Sequence, residues 1–273
     1  MVGPSVTLQG ATKVFALGGG RDLRALDGLD ASVKAGGFVI VMGPNGSGKT
    51  TLLRVLDGSL VLDAGAAAVG AANGAPGSGS RIVHITQDPQ SRTFGRLTMA
   101  EHFLLAELDG STPGPFAKGV TARRRDRYRE FLRHYDRGDL IDFLDRPVAE
   151  LSGGMRQAVA LLTTVVPTSV TETGRPVLML LDEPTGALDS ANETRCLDLV
   201  RRVHDGGATV VLVTHDPWLA ARVGNDLLLM NRGQVARSFL GADKASLGAG
   251  DITQRMAELV AEVYSHPLPH PVG

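Results

Sequence analysis

The sequence is short of several things, and each shortage closes off a class of protein. Cysteine occurs once, at Cys196, in 273 residues. A lone cysteine excludes an internal disulfide framework and fits a reducing compartment. No apolar run approaches the roughly 18 residues of a membrane-spanning helix, and the N-terminus lacks the apolar core of a signal peptide. Charge of one sign is also missing: 28 basic and 29 acidic side chains leave a net charge of −1, so nothing demands nucleic acid or an acidic surface as partner. Lysine is scarce, with 5 residues against 23 arginines, so a lysine inside a motif carries information. The expectation is a soluble cytoplasmic chain, long enough to bury a substantial core as one large α/β domain or two small ones.

What the chain does have is a phosphate-binding loop in the right setting. An apolar run, Phe38–Met42, leads into Gly43, Pro44, Asn45, Gly46, Ser47, Gly48, Lys49 and Thr50, and a helix-like stretch follows over Thr51–Leu56. Strand, glycine-rich loop and helix are the context that the pattern G-x-x-x-x-G-K-[ST] requires. Glycines let consecutive backbone N–H groups curl around phosphate oxygens, and the helix that follows points the positive end of its dipole at the same anion. Lys49 is suited to the β- and γ-phosphates of ATP and the Thr50 hydroxyl to Mg²⁺. The loop predicts nucleoside triphosphate binding.

Short strands joined by glycine turns precede this loop. Val6–Phe15 reads as an edge strand and Ala25–Val33 as its neighbour, together an antiparallel flap. Gly58–Ser80, rich in glycine and alanine, reads as a loose hairpin and mobile loop before a strand at Arg81–Thr86. Thr98–Leu108 has helical spacing, and Thr121–Leu144 is a charged helical region whose interleaved arginines and acids suggest a solvated face. Gly153–Val166 is an apolar helix, Val177–Leu181 and Ala208–Thr214 are buried strands, and Ala191–His204 is an amphipathic helix between them. Asp226–Met230 and Gln234–Phe239 flank a hairpin turn; residues 251–264 form a closing helix, and the proline-rich tail from His266 to Pro271 frays. Strands alternating with helices indicate a mainly parallel sheet.

Two further stretches carry chemistry. Asp182 and Glu183 lie just past the apolar run Val177–Leu181, at the end of a parallel strand, where ligands bind in such sheets. Asp182 is suited to hold Mg²⁺ and Glu183 to polarise an attacking water. Ser152, Gly153 and Gly154 open the next helix, with serine at the cap position. A hydroxyl, two glycine amides and a helix N-terminus make a second phosphate-binding end. One chain with two such ends suggests a site shared between two copies.

These ordered motifs, from about Val6 to Phe239, resemble the ATP-binding cassette (ABC) family, the nucleotide-binding subunits of membrane transporters. The resemblance implies a P-loop α/β fold with a mainly parallel core sheet, an N-terminal antiparallel β-subdomain and an inserted α-helical subdomain. The cassette would span residues 1–240, its helical subdomain about 88–165, with a C-terminal extension over 241–273. By the same resemblance Phe15 stacks on adenine, and Thr51 belongs with the loop residues that hold the nucleotide. Gln87 senses Mg²⁺ and couples to the membrane subunit, Asp189 crosses between protomers, and His215 contacts the γ-phosphate. The implied partners are ATP, a second cassette copy, transmembrane permease subunits and a solute-binding protein, with no nucleic acid, at the cytoplasmic face of the membrane.

Three departures bear on the subgroup: Met155 where the family usually has glutamine, no arginine-rich pattern behind it, and a long segment from Pro167 to Pro176. The stretches at Gln87–Pro89, Leu97–His102 and Gln157–Thr163 are most similar to ATPases of tryptophan/tyrosine-type uptake systems. Glu183–Ser190 is equally at home in lipoprotein-release and macrolide-export types. The alternatives are therefore an exporter or lipoprotein-release ATPase, a cassette acting on nucleic acid or translation, and a P-loop kinase.

Overall fold

The chain opens with a long hairpin, β1 (Ser5–Gly18) and β2 (Arg21–Val33), and then enters β3 (Phe38–Met42) and α1 (Lys49–Leu56). A third strand, β4 (Ala64–Gly70), returns antiparallel to β1, so this sheet runs β2-β1-β4. β1 is therefore its central strand, not the edge strand that the sequence suggests. The difference arises from Ala64–Gly70, whose alanines are exposed and show no polar/apolar alternation to mark them as a strand. The computed structural model describes residues 2–18, 21–70, 80–86, 94–108, 119–170, 176–186 and 188–265. The rest of the expected loop (71–79) and the proline-rich tail lie outside these.

The main sheet adds β5 (Arg81–Ile85), β6 (Val177–Asp182), β7 (Thr209–Val213), β8 (Asp226–Asn231) and β9 (Gln234–Leu240). Its order is β5-β6-β7-β3-β8-β9, parallel throughout except for the β8–β9 hairpin. β3 shows why its residues read as an unbroken apolar run. Phe38, Ile40 and Met42 face one core, whereas Val39 and Val41 face another that includes Leu52, Leu53 and Leu56 of α1. A strand covered on both faces has no polar side to show. The hairpin turn Arg232-Gly233 has positive φ at both residues (45° and 77°), the two-residue turn that matches strand twist.

Helices fill the stretch between β5 and β6: α2 (Met99–Leu108), α3 (Ala122–His134) and α4 (Gly153–Val170). The expected charged helix over Thr121–Leu144 is shorter than its charge pattern. α3 stops at Tyr135, where Asp136 turns left-handed at φ 57°, and a 3-10 turn occupies Gly138–Phe143. Nor is its charged side given wholly to water. Arg124 and Arg127 both reach the nearly buried Glu107 of α2, at 3.3 and 3.2 Å, while Tyr128, Phe131 and Leu132 enter the core.

After β6 come α5 (Ser190–Asp205), α6 (Pro217–Arg222), α7 (Ala242–Ala245) and α8 (Ala249–Ser265). Ile252 and Leu259 of α8 are fully buried in the same core as Leu219 and Ala220 of α6. The C-terminal segment thus packs on the body of the protein.

Candidate nucleotide site

The ends of β3, β6 and β7 lie side by side, and each delivers site residues. Beyond β3 the backbone turns through Gly43–Gly48 into α1. Gly48 has φ 101°, and a Cβ there would stand 2.3 Å from the Ala25 carbonyl oxygen of β2, so no other residue lets the loop pass. The β8–β9 turn braces the same loop, because the Gly233 N–H donates to the Ser47 carbonyl at 3.0 Å. No side chain caps α1 and no acid lies in its first turn, which leaves first-turn N–H groups for an anion. Ser47 adds to this. Its hydroxyl is buried and has no hydrogen-bond partner among the described residues.

Lys49 Nζ donates to the carbonyls of Gly43 (2.8 Å) and Pro44 (3.0 Å), folded back along its own loop. Burial pulls its ammonium below the usual lysine range, opposed by the charges of Glu183 and Asp182. The Thr50 hydroxyl donates to Asp182 Oδ2 at 3.0 Å, across from the end of β6. Burial also raises the Asp182 carboxyl above the usual carboxylate range, against the lowering effects of Thr50, His84 and Lys49.

The next residue departs from the strand. Glu183 sits at φ 49°, and its N–H donates to the Val213 carbonyl at the end of β7 (3.0 Å). This left-handed turn takes the backbone out of the line of β6, although the Glu183 charge still acts on Asp182. Glu183 Oε2 lies 3.1 Å from Nδ1 of His215, just beyond β7. The His215 side chain is 70% exposed, so this contact is on the open side of the site. Hence Lys49, Thr50, Asp182, Glu183 and His215 come together from three strand ends. A hydroxyl facing a carboxylate is an oxygen pair suited to Mg²⁺, which takes one or two protein oxygens beside phosphate and water.

The other expected residues are placed separately. Phe15 is half-buried in β1, opposite Leu23 of β2, with Lys13 Nζ 5.8 Å from its ring centroid. Ser152 caps α4, its hydroxyl accepting from the Met155 N–H at 3.3 Å. Asp189 caps α5 by accepting from the Asn192 N–H at 2.9 Å. No hydrogen bond or ion pair among the described residues joins Ser152, Gly153 or Gly154 to Gly43–Thr50. Gln87 lies outside the described residues.

A match to the family model for ABC transporters covers residues 26–186, more than half of the chain. The chain belongs to the ABC transporter family. The lipoprotein-releasing system ATP-binding protein LolD 1 of Caulobacter vibrioides is 32% identical over 82% of this chain and 92% of its own length. The cobalt import ATP-binding protein CbiO of Rhodobacter capsulatus is also 32% identical, over 87% and 81%. Among solved structures, the ADP conformation of MJ1267, an ATP-binding cassette of an ABC transporter, is 21% identical with a TM-score of 0.70. It covers 97% of this chain and 99% of that one. A dimeric post-hydrolysis state of the cassette MJ0796, bound to ADP and Pi, is 26% identical with a TM-score of 0.66, over 86% and 98%. The protein is thus an ATP-hydrolysing cassette of a transport system, with the α/β fold that this family shares.

The contacts of Asn192 were not legible in the sequence. Its amide nitrogen donates to Asp189 Oδ2 at 2.8 Å, and its side chain fills the space next to Gly154, where a Cβ would meet it at 2.5 Å. It connects the Asp189 loop to the N-terminus of α4. The pattern Asp-x-x-Asn at a helix start signals a cap, but nothing in the sequence pairs it with Gly154.

Proposed function

We propose that two copies of this cassette sandwich two ATP·Mg²⁺, each between Gly43–Thr51 of one copy and Ser152, Gly153 and Gly154 of the other. The observation that carries this reading is the adjacency of two pairs, Thr50 with Asp182 and Glu183 with His215. The first pair, with Gln87, holds Mg²⁺, which when bound neutralises charge on the phosphate oxygens. Lys49 leaves its own loop carbonyls for the β- and γ-phosphates. Glu183 takes a proton from the attacking water, and His215 meets the γ-phosphate. Phe15 stacks on adenine, and Asp189 reaches across the interface. The opposing α4 N-terminus adds backbone dipoles where charge builds up in the transition state. Residues 1–240 form the ATPase domain, with its helical subdomain at about 88–165, and 241–273 form the extension.

Closure on ATP and opening after hydrolysis drive permease subunits in the membrane, with the cassette peripheral on the cytoplasmic face. Among the described residues no helix is long and apolar enough to cross a membrane. We infer uptake of an amino-acid-like solute, on the similarity of the segments around Gln87, Leu97 and Gln157 to uptake ATPases. The relatives' names divide between import and release or export, so an exporter or lipoprotein-release role is the second reading. Affinity purification from detergent-solubilised membranes tests both. Recovery of a multi-span permease with a solute-binding protein supports uptake. A permease alone supports the second reading, and recovery of neither removes the transport assignment from this chain's own partners.

A further inference from the structure

His215 is mostly exposed, so few side-chain contacts hold it, and its place depends on the backbone on either side. On the β7 side, the Thr214 N–H donates to the Val41 carbonyl of β3 at 3.2 Å. On the other side, Asp216 receives the Trp218 N–H on Oδ1 at 2.8 Å and starts α6. α6 has six residues, too few to be stable by itself. Its position must come from what grips it.

That grip comes largely from the C-terminal extension. Lys244 of α7 is 4% exposed, and Nζ donates to the carbonyls of Val223 (2.7 Å) and Ala221 (3.2 Å) at the end of α6. Between these two, the Arg222 carbonyl accepts from Arg201 of α5 at 3.3 Å. Three successive carbonyls at the negative end of a short helix are thus closed by two cations. Ile252 and Leu259 of α8 pack into the core that also holds Leu219, Ala220 and Val223. Among the described residues the Lys244 ammonium meets only these carbonyls and no carboxylate, and burying a charge without a counter-ion is costly.

We propose that Lys244, with α7 and α8, is a positioning element for His215, so that the extension controls hydrolysis and not ATP binding. The inference rests on His215 meeting the γ-phosphate, as in the function proposed above. It also assigns the extension a role in the cassette's own chemistry, acting through α6.

The test compares Lys244→Met, His215→Ala and the double variant of the full chain, by ATP titration and single-turnover hydrolysis. Lys244→Met is expected to leave ATP affinity within about twofold and to slow hydrolysis roughly tenfold, the scale of a sub-ångström misplacement. In the His215→Ala background the same change should matter less than about twofold, because the group it positions is gone. Wild-type turnover in Lys244→Met, or an equal loss in both backgrounds, overturns the proposal. If Lys244→Met does not fold, Leu259→Val trims one methylene from the buried packing of α8, a smaller core change than truncation to alanine, and must show the same pattern; additivity there overturns it equally. His215→Ala with unchanged turnover would instead defeat the underlying reading of His215.

Discussion

Glu183 Oε2 and His215 Nδ1 lie 3.1 Å apart, joining the residue after β6 to the residues after β7. The contact is possible because Glu183 adopts φ 49°, a left-handed conformation that a non-glycine residue keeps only when its surroundings impose it. Here the Val213 carbonyl and the Gly186 N–H, which donates to the Glu183 carbonyl at 3.2 Å, hold the turn. The strain sits where a general base is expected. Glu183→Gln keeps an oxygen that can accept from His215 but cannot take a proton. ATP affinity should stay near wild type while phosphate release slows by roughly 10²–10⁴-fold. Hydrolysis within a few-fold of wild type would move the base to His215.

Lys49→Ala tests the loop. The ammonium now satisfied by the Gly43 and Pro44 carbonyls is the P-loop cation available to the phosphates. Its removal should abolish ATP binding or weaken it severely in a calorimetric titration, with the fold retained because both carbonyls can turn to water. Unchanged affinity would undo the phosphate assignment of the whole loop.

Asp182 links stability to function in opposite directions. Its carboxyl is raised by burial, so the ionised form is penalised in the folded chain above the unfolded value. Stability from this group is therefore present at low pH and lost as pH rises through the carboxylate range. Asp182→Asn removes the charge and still offers the Thr50 hydroxyl an acceptor. At neutral pH the nucleotide-free variant should melt at a higher temperature than wild type, yet gain less from added Mg²⁺ with ATP and hydrolyse far more slowly. A lower melting temperature would show that Asp182 is not a strained carboxylate.

Asp139 gives the opposite pH sign. Two hydrogen bonds of 2.9 Å from the buried Arg137 hold its carboxyl below the usual range. Its contribution is present above the unfolded value and lost as pH falls through the folded one. Because Asp139 is partly exposed, Asp139→Asn should cost about 1–2 kcal/mol at pH 7. That difference should shrink below about pH 4, the ordinary range of the carboxyl. Urea denaturation at both pH values measures it, and a pH-independent difference would contradict the charge argument.

Much of this was legible in the sequence because the signals are periodic or spaced. The run Phe38–Met42 and the loop after it mark β3, α1 and the proposed phosphate site; the run Val177–Leu181 announces β6, with the carboxylates of Asp182 and Glu183 just past it. Other features leave no such trace. Ala64–Gly70 has exposed alanines and no polar/apolar alternation, so composition suggests only a loose hairpin and mobile loop where there is a regular strand paired with β1. The six-residue α6 and four-residue α7 are too short for a periodic signal. Nothing around Lys244 in the sequence marks it as buried, since its burial depends on α6 being brought against α7. The departure of Glu183 from the strand is likewise tertiary, set by a carbonyl on β7.

The arrangement of Ser152, Gly153 and Gly154 decides how assembly is best tested. Gly154 abuts Asn192 and has no room for a side chain, so changing it would disturb the monomer. A Cβ added at Gly153 would meet nothing within 4 Å, and Ser152 is exposed. Ser152→Glu with Gly153→Glu therefore alters the proposed interface at the loss of one helix cap, about 1 kcal/mol. In the Glu183→Gln background the chain should be monomeric without nucleotide and dimeric with ATP·Mg²⁺, because ATP fills the interface and is not consumed. Adding the two acidic changes should prevent that dimer, through repulsion of the γ-phosphate, while monomer ATP binding stays nearly unchanged. Mixing a Lys49→Ala copy with the Ser152→Glu, Gly153→Glu copy, both with Glu183 intact, should restore at most one competent site per pair. Size-exclusion chromatography with light scattering reads the first two outcomes and phosphate release the third. Normal dimerisation of the acidic variant would sink the shared site, and a chain that stays monomeric at saturating ATP would require a different cassette as its partner.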